Sequence, residues 1–310
     1  MINYLYLLIA VILMAVQFSF NKFYQSKNGS GMMTSLLYTA LSGFAAGAIF
    51  FFINGCEIAV TPFSFVCAVG ISLLCLCYNL LGFLIFSLGS FSVYTMFLML
   101  GGMLLPFLYG MMFLGDAAQA SHLSLVCRMA GVVLLVVSMV FPCLDKTGSD
   151  GAQRTKKQKL LFIALCLIVF VMNGFVSILS KLHQIEANYP ITDNNSFVFL
   201  TNTLSGIFSA FLLFVLVLKN KQPPKLAKGF HPVMLIAVVV GYALCNGVSY
   251  LLQLTAAASD MPASVQYPML TGGSVVLTAL AGYLCFHEKP SKNALIGTLL
   301  AFAATFLFLF

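Results

Sequence analysis

The residues able to do chemistry in this chain are amides and tyrosines set inside long apolar runs, rather than acids, histidines or clustered cysteines. The densest set is Tyr242, Asn246, Ser249, Tyr250 and Gln253. Their three- and four-residue steps place them on one face of a helix. A polar stripe within an apolar helix costs free energy unless it meets a partner helix or a wetted cavity. Both readings stand, but five members exceed what one helix–helix interface ordinarily requires. Downstream, Gln266 and Tyr267 precede Pro268, whose missing N–H frees a carbonyl in the preceding turn and bends the helix, often beside a cavity. Pro106 repeats that device beyond Tyr94. Tyr78, Asn79, Gln17 and Asn173 are further polar groups well inside apolar runs, as are Asn202 and Thr203.

The candidate substrate-binding set is therefore Asn246, Tyr250, Gln253, Gln266, Tyr267, Tyr78, Asn79, Tyr94, Gln17 and Asn173. Carboxamides both donate and accept, and tyrosine adds a hydroxyl to an aromatic face. Such a wall suits a small polar or zwitterionic metabolite, for example an amino acid. A second reading uses the rings of Tyr78, Tyr94, Tyr109, Tyr250 and Tyr267 as a cage. Each ring would attract a quaternary amine such as choline by about 0.5–2 kcal/mol. A third, of another class, is a receptor or scaffold that does not transport.

Missing groups narrow the choice further. No Asp or Glu falls in the middle of an apolar run: Asp116, Asp260 and Glu288 lie at ends, Glu57 and Asp193 in loops. An exporter that exchanges drug for proton at a deep carboxylate is disfavoured on that ground. Asp116 and Glu288 are expected against the N-terminus of the helix that follows each, where the helix dipole favours negative charge. His122, His231 and His287 lie near run ends and His183 in a turn after Lys181, with no metal-ligand spacing. The nine cysteines form no CxxC pair and read as small buried thiols. No cofactor, metal site or enzymatic activity is expected. Arg128, about a turn into its run, is expected to snorkel to the surface.

The elements that must carry these residues are membrane helices. At 61% hydrophobic and 7% charged, with mean hydropathy +1.03, an ordinary soluble domain is excluded. Ten spans are expected: Tyr4–Phe20, Met32–Phe52, Phe63–Phe86, Ser92–Phe113 and Leu123–Phe141, then Leu160–Ser180, Ser196–Leu218, Val233–Leu254, Pro262–Phe286 and Asn293–Phe310. Residues 145–159 form a solvated basic linker between halves 1–144 and 160–310. Pro290 and Ser291 suit the start of the last helix.

The halves repeat each other. Ser92, Val93, Leu98, Gly101, Leu105, Leu108 and Gly110 match Ser264, Val265, Leu270, Gly273, Leu277, Leu280 and Gly282 without a gap, and Asp116 and Tyr78 keep that spacing to Glu288 and Tyr250. Leu41-Ser42-Gly43 pairs with Leu204-Ser205-Gly206, and Lys22-Phe23-Tyr24-Gln25 with Lys181-Leu182-His183-Gln184. Five spans per half invert the second half relative to the first, the arrangement that serves alternating access. The fold class expected is thus an all-α polytopic membrane protein, ten helices in two inverted five-helix repeats. The +7 net charge is not a nucleic-acid signal, because the lysines sit in short loops. Nearly all fall after spans 1, 5, 7 and 9, with only Arg128 and Lys181 opposite. By the positive-inside rule the 145–159 loop is cytoplasmic and both termini face outward.

Ten spans in two inverted repeats, each with an acid closing one helix (Leu-Gly-Asp116 and Phe-His-Glu288) and a glycine in the final span (Gly297), resemble the EamA-like branch of the drug/metabolite transporter superfamily. The resemblance implies a secondary transporter in a bacterial inner or plasma membrane. Its cavity would be lined by spans 1–4 and 6–9, with spans 5 and 10 at the periphery. Partners implied are a small-molecule substrate and the lipid bilayer, without nucleic acid. The small-residue patch of Gly297, Ala301, Ala303 and Ala304 suits packing against another span or a homodimer partner.

Overall fold

The computed structural model describes residues 2–29, 31–88, 91–144, 155–221, 223–224, 231–259, 261–286 and 291–308. Outside them fall residues 145–154 of the linker, the loop lysines Lys225 and Lys228, Asp260, the 287–290 turn with His287, Glu288 and Pro290, and residues 309–310 of the last expected span.

The described chain is all helix, in the order α1 (Ile2–Asn28), α2 (Met32–Ile53), α3 (Pro62–Leu88), α4 (Phe91–Phe113), α5 (Asp116–Gln119), α6 (His122–Cys143), α7 (Lys156–Ile185), α8 (Asn194–Asn220), α9 (Pro232–Ala257), α10 (Ala263–Phe286) and α11 (Lys292–Leu307). Nine of these are long and apolar enough to cross a bilayer, and α11, with 16 residues, is a shorter apolar helix. Their outer faces carry Phe211, Phe214, Val66, Leu160 and Met112 at 60–72% exposure. Apolar surface of that extent needs lipid around it. The chain is an integral membrane protein.

Local sequence sets several helix boundaries. Thr155 and Gln158 form a reciprocal capping box that starts α7, so Lys156, Lys157 and Lys159 belong to the helix rather than to the linker. Asp193 caps α8 through Ser196 N–H at 2.9 Å, and Ser291 caps α11 through Ala294 N–H at 3.0 Å. Each cap satisfies a backbone donor that has no partner within its helix. α1 runs to Asn28 and stops where Gly29 takes φ +79°, a conformation glycine adopts without steric cost. Lys22 and Lys27 therefore lie on its last turns instead of in a loop.

α1 packs on α9 and α10, α7 on α3 and α4, and α2 on α8 and α9; α3 also meets α8, α4 meets α10, and α6 meets α11. Small residues allow the closest crossings. At Gly43 a Cβ would stand 2.7 Å from Asn202 O and 2.8 Å from Gly206 N, so α2 and α8 touch backbone to backbone. The largest buried cluster joins Leu100, Met103 and Phe107 of α4 to Leu165 and Val169 of α7, Leu135 of α6 and Phe308, just beyond α11. Phe107 and Phe308 meet edge to face at 4.8 Å. That cluster leaves α6 and α11 as an outer buttress beside the remaining helices.

Candidate functional site

A cavity of about 260 Å³ runs between α1–α4 and α7–α10. These are the eight helices that the resemblance places around a cavity; neither α6 nor α11 adds a described wall residue. The size is just under the ~300–1,000 Å³ usual for small-ligand pockets. Among the described wall residues none is acidic, basic or histidine. The wall is built from amides, hydroxyls, five tyrosines and aliphatic side chains.

Nine of the ten candidate residues come together here. Asn246 donates from Nδ2 to Asn202 Oδ1 at 2.9 Å, and Asn202 donates in turn to Val198 O at 2.9 Å. Gln253 donates to Ser249 Oγ at 3.0 Å, whose own proton goes to Ala10 O on α1. Tyr250 meets Ser180 Oγ at 3.0 Å. Tyr267 donates to Ser177 O at 2.8 Å, and Asn173 to Leu98 O at 2.7 Å. On the opposite wall Tyr94 reaches Tyr78 O at 3.3 Å, and Tyr78 reaches Cys75 Sγ at 3.4 Å. Gln17 is buried, with its Oε1 unpartnered. Asn79 completes the set from α3.

Gln266 stands apart. It is fully buried behind the wall, where its Nε2 donates to Gln253 O at 3.0 Å. It props the backbone of α9 rather than facing the cavity. Tyr109 also leaves the expected cage and stacks on Phe113 at 5.1 Å. Tyr242, already in the polar stripe, joins the wall in its place. Asn21 and Gln25 line the cavity too, because α1 is longer than the expected Tyr4–Phe20. The spacing of Gln17, Asn21 and Gln25, one turn apart each time, was the signal for them.

Buried polar contacts gather at the C-terminal end of α7, next to the Ser180 and Ala257 that line the cavity. His183, fully buried, holds Ser64 Oγ at 2.7 Å and Gln184 Nε2 at 3.0 Å, and stacks on Phe197 at 3.7 Å. Thr192 N–H reaches Ser64 Oγ at 2.9 Å. Lys181 was expected in a loop; it is buried on α7, donating to Ala257 O at 2.7 Å and Met261 O at 3.2 Å. The C-terminal end of α9 attracts that ammonium through its dipole and its unpaired carbonyls. His183 likewise lies in the last turn of α7, not beyond it.

Arg128 and Asp116 also differ from expectation. Arg128 does not snorkel; it is buried and donates from Nη1 to Ser264 Oγ at 3.0 Å. Asp116 is buried as well, and its Oδ2 accepts Ser264 N–H at 2.9 Å. The carboxylate thus serves the N-terminus of α10, far along the chain, rather than the helix after its own.

Comparison with known proteins gives the fold and no more. No protein-family model matches the sequence, and no curated protein matches it. Among solved structures, one crystal structure of a protein, described in no more specific words, covers 98% of this chain and 95% of its own, with TM-score 0.66 and 16% identity. At that identity the likeness concerns the helix arrangement alone.

Proposed function

We propose that the chain is a secondary-active transporter of the EamA-like, drug/metabolite transporter type. It moves a small polar or zwitterionic metabolite by alternating access between two inverted five-helix repeats. The observation that carries the reading is a polar cavity, without charge among the described wall residues, walled by four helices from each half.

The pairing of helices supports the repeat. Replacing α1, α2, α3, α4 and α6 by α7, α8, α9, α10 and α11 turns α1 on α9 into α7 on α3, α1 on α10 into α7 on α4, and α2 on α9 into α8 on α3. The contacts α2–α8, α4–α10 and α6–α11 map onto themselves. Gly43 and Gly206, matched in the repeat, meet face to face at the α2–α8 crossing. A Cβ on Gly101 would strike Phe170, and one on its match Gly273 would reach Val11 at 3.0 Å. Self-mapping contacts are what a two-fold axis between repeats produces. The lysine-bearing ends of α1 and α8, with the linker, are assigned to the cytoplasm. Asn21 and Gln25 line the cavity towards that end.

The test is flux in proteoliposomes made with the purified full chain. Asn246→Ala removes an amide that lines the cavity and, among the described residues, bonds Asn202. It is expected to lower flux at least tenfold while the protein still inserts and elutes as wild type. Normal flux in both Asn246→Ala and Tyr250→Ala would remove the cavity from the transport reading.

A further inference from the structure

We propose that the cavity selects an uncharged small molecule rich in O–H or N–H donors, of the polyhydroxylated or amide-bearing kind, over carboxylates and quaternary amines. The proposal rests on the cavity being the substrate site and narrows what it admits.

The direction of each hydrogen in the wall decides what a ligand must supply. A carboxamide can be turned either way, but here backbone carbonyls, which only accept, fix the direction. Asn173 must present its N–H₂ to Leu98 O. Asn202 must present its own to Val198 O, leaving Oδ1 to receive Asn246. Asn246 must therefore turn its own Oδ1 away from that contact. Ser249 gives its only proton to Ala10 O, so Gln253 has to donate to it and keeps Oε1 free. Ser180 gives its proton to Val176 O, so Tyr250 is the donor in their pair. Tyr267 donates to Ser177 O.

Every one of these chains ends on a helix carbonyl and commits a donor of the wall. What these groups keep, besides the second N–H of each amide, is acceptor oxygen: Oδ1 of Asn246 and Asn173, Oε1 of Gln253 and the phenolic lone pairs. None of the three amide oxygens accepts a hydrogen bond among the described residues, and none is an enclosed orphan of the kind seen at Gln266 Oε1. An acceptor left unpaired when a ligand displaces water costs free energy, so the ligand must bring donors. It must also bring no net charge, because the described wall contains no ion to pair with it. A quaternary amine fails on donors and a carboxylate fails on both counts.

The test is thermal stabilisation of the detergent-purified full chain by matched probes, since a ligand that binds the folded state raises its stability. Glucose and adenosine are the donor-rich neutral probes. Permethylated glucose and N6,N6-dimethyladenosine are the same shapes with donors removed, and choline and glutamate are the charged probes. At least one neutral probe is expected to bind, with affinity roughly tenfold or more weaker for its methylated partner. Stabilisation by choline or glutamate but by neither neutral probe overturns the proposal. So does equal binding of parent and methylated forms, or stabilisation by no probe.

A second measurement uses Asn246→Asp, or Gln253→Glu should the first fail to fold. Either keeps the acceptor oxygen and adds negative charge, so glucosamine should gain on glucose relative to wild type. No change in that ratio also overturns the proposal. Flux separates this idea from the one it rests on. Binding of a donor-rich probe without flux keeps the selectivity and removes transport; flux of a charged probe does the reverse.

Discussion

Replacing Gly43 by alanine probes the contact on which both the fold and the cavity depend. The added Cβ would lie 2.7 Å from Asn202 O, 2.8 Å from Gly206 N and 2.9 Å from Gly206 Cα. All three are backbone atoms, so no rotamer change relieves the overlap. Ordinary contact begins near 3.4 Å, so α2 and α8 must part by on the order of half an ångström or more, and overpacking of this kind costs about 1–3 kcal/mol. Alanine returns up to about 1 kcal/mol through helix propensity, which leaves a net loss of up to about 2 kcal/mol. The thermal midpoint of the detergent-solubilised protein should therefore fall by several degrees. Gly70→Ala is the control, because its Cβ would meet only Leu179 Cδ1 at 3.6 Å; it should hold or slightly raise the midpoint. The clash at Asn202 O also displaces the residue that orients Asn246, so flux should fall with stability. A Gly43→Ala protein as stable and active as Gly70→Ala would refute the backbone-contact argument.

Two further predictions concern the buried charges. Lys181→Met keeps side-chain length but removes the donors to Ala257 O and Met261 O, at about 1–3 kcal/mol for each buried acceptor left unpaired; the α7–α9 contact should open more often, read as faster maleimide labelling of buried Cys67 once the exposed cysteines are replaced. Unchanged labelling would show that Lys181 does not hold that contact. Arg128→Met and Asp116→Asn should each lower the thermal midpoint, and the double variant should lose less than the sum, because both groups act through Ser264; strict additivity would show that they act independently.

The sequence by itself determined the solvent of this protein and much of its wall. Apolar runs long enough to span lipid are legible from composition, since hydropathy depends on residue type rather than on neighbours. The stripe from Tyr242 to Gln253 was legible because helical periodicity alone puts those residues on one face. Repeat-matched glycines were visible as a pattern, although their meeting at the α2–α8 crossing was not.

Tertiary structure decided which polar residues face the cavity and which serve a neighbouring helix. Gln266 and Tyr267 are adjacent in sequence, yet one is walled in beneath Gln253 O and the other reaches across to α7. Asp116 serves a helix that begins almost 150 residues later. Lys181 and Arg128, ordinary surface cations by residue type, are buried because α9 and α10 bring acceptors to them. Periodicity fixes the face of one helix, but only the packing of several helices fixes what that face meets. For a hydrogen bond, the identity of that partner decides which groups of an amide are committed to the protein and which are left over.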